Sequence, residues 1–220
     1  MNSTDRAGSL GHAMERFLEG DSARLRKLRG AFFTPPAIAD FLVTWATAGR
    51  RDATVLDPTC GEGVFLLAAA RRLAGFDADA RAVERQLRGM DLHPESLDET
   101  RRLLAAEGHA ATLTAGDFFE QPTPAQLDGG LPWVDAVVGN PPFVRYHEHR
   151  GDTRRRAAAA ALAQGVRLSG LASSWAALLV HACGFLKPAG RVAMVLPAEL
   201  LTVGYAEPVR RWLRSRFAAV

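Results

Sequence analysis

The sequence predicts an α/β protein built on a doubly wound, mostly parallel β-sheet with helices on both faces. From residue 53 onward, short apolar segments alternate with amphipathic helical segments, as in a series of βαβ units. Several of the predicted strands end in a glycine, an acid or an amide. In an open parallel sheet these ends share one edge, which is where ligands bind. One domain of this class accounts for most of the 220 residues.

The composition fits a soluble globular protein, with 48% hydrophobic and 23% charged residues. The net charge is +3, and only Lys27 and Lys187 are lysines, so the basicity comes almost entirely from arginine. Arginine suits bidentate phosphate contacts, but a general bias towards Ala and Arg explains it equally well. No apolar stretch reaches the length of a membrane span, and Cys60 and Cys183 do not form a disulfide framework. We therefore expect a cytoplasmic protein without a membrane association.

The amino-terminal part divides into a flank and the start of the main domain. Residues 1–29 form a helical flank with a loosely amphipathic pattern, and residues 30–220 form the domain. Phe33, Thr34 and Pro35 precede a helix that runs to about Gly49. Thr34 is predicted as its N-cap and Pro35 as its first residue.

A glycine turn follows the first predicted strand, residues 53–57. The turn is Pro58-Thr59-Cys60-Gly61-Glu62-Gly63, and an apolar helix begins at about Val64. Such a strand, turn and helix bring backbone N–H groups close to a ligand. The third glycine of the dinucleotide fingerprint is missing near Leu66, which disfavours a nicotinamide or flavin, and no Gly-Lys-Ser/Thr follows, which excludes a P-loop.

Acidic residues follow the next two predicted strands, residues 89–92 and 111–114. Asp91 is placed to accept hydrogen bonds from both hydroxyls of a ribose, although a carboxylate before a helix is stabilising by itself. Asp117 is placed to accept from an adenine amino group, while the ring of Phe118 lies against the base.

The fourth predicted strand, residues 134–139, ends in Asn140-Pro141-Pro142-Phe143. The two prolines must end the strand, and they hold Phe143 at the sheet edge. Taken alone, this tetrapeptide fits a buried structural turn equally well. Residues 145–156 then form a basic segment suited to phosphates, with a solvated loop as the alternative. Its His147 and His149 lack accompanying ligands, so no metal site is predicted.

The last predicted elements are a helix over 173–186, a strand over 191–196, a basic helix over 207–216 and the beginning of another strand at 217–220.

These motifs, in this order, resemble the adenine-specific (N6) DNA methyltransferases that use S-adenosyl-L-methionine. The resemblance covers residues 30–220 and implies the Rossmann-like fold of class I methyltransferases. It assigns Asn140, Pro141, Pro142 and Phe143 to catalysis, with Phe143 where many members have Tyr; both rings can stack on a base. The cofactor-binding residues it implies are Phe33, Thr34, Pro35, Asp57, Thr59, Cys60, Gly61, Gly63, Asp91, Leu92, Asp117 and Phe118.

The resemblance implies methyl transfer to the amino group of an adenine flipped out of DNA, in restriction-modification or a related defence. No metal is required. Arg145 and Tyr146 are candidates for contacts to the DNA, and Tyr205 for closing the base pocket. The alternatives are methylation of ribosomal RNA or of a release-factor glutamine, or a non-catalytic cofactor-binding subunit. Because the family sheet continues with further strands, we expect a sheet truncated at its carboxyl-terminal strands. A separate target-recognition domain or subunit would then choose the DNA site.

Overall fold

The computed structural model describes residues 34–76, 79–127, 130–143, 152–169 and 172–220. They form a five-stranded sheet in which neighbouring strands run parallel, in the order β3-β2-β1-β4-β5. The strands are β1 (Val55–Asp57), β2 (Leu87–Asp91), β3 (Thr112–Ala115), β4 (Val134–Gly139) and β5 (Leu186–Met194). The strand order reverses at β1, between β2 and β4. This is the switch point at which doubly wound sheets bind ligands, so the predicted fold class is confirmed.

Helices cover both faces of the sheet. They are α1 (Pro36–Thr47), α2 (Val64–Ala74), α3 (Ala80–Gln86), α4 (Pro94–Ala105), α5 (Asp152–Ala163), α6 (Ser174–Ala182), α7 (Glu199–Thr202) and α8 (Glu207–Arg216). Val55 and Ala136 share one apolar core with α1 to α4, whereas Leu56 and Val137 share a second core with α5, α6 and α8. The faces alternate because successive side chains of a strand point in opposite directions.

Several segments differ from the sequence predictions. Helices α3 and α7 were not predicted, and α6 ends at Ala182, four residues earlier than predicted. Residues 217–220 are not a strand, so that prediction is wrong. Strand β5 begins five residues earlier than predicted and includes Pro188 and Ala189, the latter with a φ of 63°. Because β5 pairs only with β4 among the described strands, Pro188 removes no donor that a further described strand needs.

The start of α1 also departs from the prediction. Pro35, not Thr34, occupies the N-cap, and Pro36 is the first helical residue. The hydroxyl of Thr34 has another partner, described below. The predicted flank, residues 1–29, lies outside the described residues. No helix in the described part of the chain is long and apolar enough to cross a membrane.

Both cysteines are buried and carry free thiols. Burial raises the pKa of Cys183 to about 12, and burial beside Asp57 and Asp91 raises the pKa of Cys60. These thiols are therefore protonated, apolar core residues at neutral pH.

Candidate active site

The glycine turn after β1 is tied to the elements beside it. The N–H of Cys60 donates to the Met90 carbonyl at 2.8 Å, and the Thr100 hydroxyl donates to the Gly61 carbonyl at 2.7 Å. Gly63 has a φ of 84°, and a Cβ there would lie 2.7 Å from the Thr100 side chain. Only glycine combines that backbone conformation with so close a neighbour. The turn is therefore a fixed loop at the tip of β1.

Asp91 joins this turn to the tip of β2. One carboxylate oxygen accepts from the Gly61 N–H at 2.9 Å, and the other accepts from the His93 N–H at 2.9 Å. Each oxygen still has a lone pair to offer, because a carboxylate has about four acceptor positions. Leu92 follows with 62% of its surface exposed. An oriented acid thus lies next to an exposed apolar side chain, a combination that suits a ribose and the base attached to it.

Asp57, the last residue of β1, is 1% exposed. Burial raises the pKa of its carboxyl to about 8, a hydrogen bond from the Thr59 N–H opposes the rise, and the charge of Asp91 adds to it. Among the described residues, Asp57 Oδ2 and Thr59 Oγ1 are buried oxygens without a hydrogen-bond partner. Buried oxygens without a partner suit a polar ligand, and at neutral pH a protonated carboxyl and a hydroxyl can each donate as well as accept.

The catalytic candidate motif begins where β4 passes Asp57. Gly139 has a φ of 146°, and a Cβ at this position would lie 2.7 Å from Asp57 Oδ1. The Gly139 carbonyl accepts from the Val195 N–H at 3.0 Å, which continues the pairing with β5 to the end of the strand. The close approach brings Asn140, the next residue, to the tip of β4 beside the glycine turn.

Asn140 is held by a residue of the amino-terminal motif. Its side-chain nitrogen Nδ2 donates to Thr34 Oγ1 at 3.1 Å, and Thr34 is 5% exposed. Because the two ends of an amide point apart, this bond turns Oδ1, the acceptor, away from Thr34. This contact could not be predicted from the sequence, in which Thr34 is predicted as a helix cap.

The second proline of the motif is anchored by α6. Ser174 Oγ donates to the Pro142 carbonyl at 2.6 Å. Phe143 is partly buried and packs against the core on the α6 face. The sequence predicted a helix from residue 173 but did not indicate a partner 32 residues earlier. Ser174 is therefore a site residue that the sequence analysis missed.

Asp117 lies close to Asp91, because the Gly116 N–H donates to the Asp91 carbonyl at 2.9 Å. Asp117 Oδ1 accepts from the Phe119 N–H at 3.0 Å, and Oδ2 lies 3.1 Å from Arg156 Nε. The acids after β2 and β3 thus meet at one edge, as predicted, but Asp117 has an arginine partner that the sequence did not reveal.

The expected contact between the ring of Phe118 and a bound adenine is not supported. Phe118 is 4% exposed, and its ring lies edge-on to His181, with centroids 4.9 Å apart, and 5.1 Å from the ring of Phe185. Burying the Phe118 ring against these side chains is more favourable than exposing it to solvent at the sheet edge. The ring anchors the turn that carries Asp117 and cannot stack on a ligand.

Three predicted contact residues, Phe33, Arg145 and Tyr146, lie outside the described residues, as do His147 and His149. Tyr205 is described: its hydroxyl donates to Glu199 at 2.5 Å, and its ring lies 6.4 Å from that of Trp175. Trp175 follows Ser174, so Tyr205 lies on the α6 side of the catalytic motif. Among the described residues, no three His, Cys, Asp or Glu side chains form a potential metal site.

The fold and this edge define the class of protein. The first strand is followed by a glycine turn, the next two by acids and the fourth by an amide-proline turn. This arrangement is that of a class I methyltransferase, whose cofactor is S-adenosyl-L-methionine. The N-6 DNA methylase family model matches residues 5–213. The chain belongs to this family.

Similar proteins include the type II methyltransferase M.XamI of Xanthomonas campestris pv. amaranthicola. It is 28% identical over 193 residues, which make up 87% of this chain and 34% of that protein. A type I restriction-modification methyltransferase subunit from Streptococcus thermophilus has a TM-score of 0.64 and 25% identity, covering 84% of this chain and 38% of that one. A class I S-adenosylmethionine-dependent methyltransferase from Listeria monocytogenes, at 16% identity and a TM-score of 0.62, covers 82% of this chain and 50% of that one and shows the fold alone. The chain spans about a third of the length of the curated relatives it matches.

Proposed function

We propose that residues 30–220 form the catalytic domain of a DNA adenine-N6 methyltransferase acting in restriction-modification. The observation that carries this proposal is the bond between Asn140 and Thr34, which fixes an amide acceptor at the strand tip. S-adenosyl-L-methionine supplies the methyl group to this reaction. DNA and the cofactor meet in the cytoplasm, where we place the protein.

The motif acts by holding the amino group of the target. Asn140 Oδ1 and the carbonyl of Pro141 each accept one amino hydrogen, so the nitrogen lone pair no longer delocalises into the ring and points at the methyl group. The Pro142 carbonyl already accepts from Ser174, which favours the Pro141 carbonyl as the second acceptor. Proline suits this role because its ring fixes φ. The gain comes from preorganised acceptors and positioning.

The target adenine must leave the duplex to reach this edge, at a cost of a few kcal/mol. Stacking on Phe143 returns about 1–3 kcal/mol. Arg145 and Tyr146 are proposed to contact the DNA, and Tyr205 to bound the base pocket from the α6 side.

The cofactor is proposed to lie across the tips of β1, β2 and β3. The Asp91 carboxylate takes the ribose hydroxyls, Leu92 lies against the adenine and Asp117 accepts from its amino group. The Asp57 carboxyl and the Thr59 hydroxyl are proposed to contact the polar end of the cofactor. The remaining proposed contacts are Phe33, Thr34, Pro35, Cys60, Gly61 and Gly63, with Phe118 acting only through the turn it anchors.

The decisive test is the Asn140→Ala variant. Methyl transfer from radiolabelled cofactor to DNA should fall by roughly two to three orders of magnitude, as for other preorganised polar contacts. Cofactor affinity, measured by calorimetry, should stay near that of the unaltered protein. Undiminished transfer would reject the catalytic assignment.

The target class is tested by offering DNA, ribosomal RNA and a release factor in parallel assays. We expect transfer to DNA, with the methyl group recovered on adenine N6. We further propose that a separate target-recognition domain or subunit supplies sequence choice, so that residues 30–220 by themselves methylate DNA with little sequence preference. Transfer confined to one short sequence would contradict that part.

A further inference from the structure

Arg156, on the helix after the catalytic motif, connects two acids at the tip of β3. Its Nε lies 3.1 Å from Asp117 Oδ2, and its NH1 lies 2.8 Å from Glu120 Oε1. The Asp117 side chain is 14% exposed and that of Arg156 is 38% exposed. This pair is therefore more shielded from water than an ordinary surface ion pair, and its two partners are held in one orientation.

The short turn that carries Asp117 has little stability of its own. It is a three-residue 3-10 helix, Phe118–Glu120, with Asp117 as its N-cap. One bond, from the Phe119 N–H to Oδ1, leaves the carboxylate plane free to rotate. Arg156 Nε does not have the geometry of a hydrogen bond to Asp117, but its charge lies 3.1 Å from Oδ2 and attracts that oxygen from another direction. A carboxylate held from two sides loses less conformational entropy when a ligand binds to it.

The guanidinium is not wedged in place by close packing. A concavity opens beside it, lined by residues that include Glu120, Arg156, Ala160 and His181. Among the described residues, the polar contacts of the guanidinium are the two carboxylates and the Thr153 hydroxyl, to which NH2 donates at 3.4 Å.

We propose that Arg156 is a positioning residue for the adenine of the cofactor: it orients the Asp117 carboxylate from α5 without touching the cofactor itself. This inference rests on the proposed function, in which Asp117 accepts the adenine amino group. It adds that recognition of this amino group depends on a residue from the segment that follows the catalytic motif.

The test compares two ligands that differ at this amino group. Dissociation constants for S-adenosyl-L-homocysteine and S-inosyl-L-homocysteine, whose ring carries an oxygen in place of the amino group, are measured by calorimetry on the full chain. In the unaltered protein the inosyl ligand should bind at least about ten-fold more weakly, because its oxygen faces a carboxylate. In Arg156→Ala, the affinity for the adenosyl ligand should fall about five-fold, the scale of a partly exposed ion pair. The affinity for the inosyl ligand should hardly change.

Arg155→Ala is the matched control. Arg155 is the neighbouring residue on α5, with its side chain 79% exposed and paired with Asp152, and its removal should alter neither affinity. Arg156→Lys, which keeps the charge but places it on a single nitrogen that cannot lie close to both acids in the same way, should give an intermediate adenosyl affinity. It also keeps the test open if the alanine variant unfolds.

The outcomes separate the two proposals. If the unaltered protein binds neither ligand, the proposed function fails and this inference fails with it. If the unaltered protein binds both equally, or if Arg156→Ala and Arg156→Lys leave the ratio of the two affinities unchanged, only the role of Arg156 is overturned. A merely structural role for Arg156 would weaken both ligands in proportion.

Discussion

The side-chain nitrogen of Asn140 donates to the hydroxyl of Thr34 at 3.1 Å, across a sequence separation of 106 residues. The pair connects the amino-terminal motif before α1 with the catalytic candidate motif after β4. Since Thr34 is 5% exposed, water cannot easily replace it as a partner. Thr34, which precedes the prolines of the amino-terminal motif, therefore sets the orientation of the Asn140 amide.

Replacing Thr34 by valine should lower methyl transfer roughly ten-fold at saturating cofactor. Valine keeps the volume but removes the acceptor, and one neutral hydrogen bond is worth about 0.5–1.5 kcal/mol. Single-turnover transfer to DNA measures the effect. Thr47→Val is the control, because Thr47 is also buried but bonds within α1, to the Val43 carbonyl at 2.9 Å. Equal transfer rates in the two variants would contradict the positioning role of Thr34.

Replacing Gly139 by alanine should destabilise the protein by about 1–3 kcal/mol, the scale of local backbone strain. The added Cβ would sit at a φ of 146° and 2.7 Å from Asp57 Oδ1. Chemical denaturation measures the free energy of unfolding. Gly204→Ala is the control, since a Cβ there meets nothing within 4 Å. If both variants unfold at the same denaturant concentration, the close approach of β4 to Asp57 is wrong.

Asp91→Ala should weaken cofactor binding roughly ten-fold or more, because hydrogen bonds to a charged group contribute about 1.5–3 kcal/mol. It should also lower the melting temperature, since the N–H groups of Gly61 and His93 lose their acceptor. Calorimetry and thermal unfolding measure the two effects. Asp98→Ala, which removes a carboxylate exposed on α4 and paired with Arg101, should leave cofactor affinity unchanged. An unaltered affinity in Asp91→Ala would mean that the ribose acid lies elsewhere.

Asp57 should make stability fall as pH rises. Burial raises the pKa of its carboxyl to about 8 in the folded protein, against ~3.9 in an unfolded chain. Between these values the folded state binds more protons, so this contribution is complete below about pH 4 and is lost as pH rises through about 8. The difference in melting temperature between Asp57→Asn and the unaltered protein should therefore increase from pH 5 to pH 8.5. A constant difference would show that Asp57 ionises normally.

Much of the architecture followed from local sequence patterns. The alternation of strands and helices was sufficient to predict the doubly wound sheet, since only a few topologies bury both faces of parallel strands. The glycine turn was predictable because positive φ values restrict residue choice so strongly, as at Gly63. Helix α3 was missed because its seven residues carry a single buried side chain, Val83, and so lack a clear apolar period.

The roles of single side chains were less predictable. Thr34 is of a residue type that commonly caps helices, yet its hydroxyl bonds to Asn140 because the fold brings the two motifs together. Phe118 was predicted to stack on a bound base, but its ring is buried against His181 and Phe185 instead of being exposed at the sheet edge. Such roles depend on which side chains the fold brings together, and the pattern of residues along the sequence does not contain that information.

The sequence by itself determined the sheet, its ligand-binding edge and the residue types that arrive there, because backbone periodicity, glycine and proline act locally. The tertiary structure alone decided the partners: Thr34 for Asn140, Ser174 for Pro142, and Arg156 for Asp117. These contacts join residues from 32 to 106 positions apart. They exist only because folding of the whole sheet offsets the entropy of bringing such distant segments together.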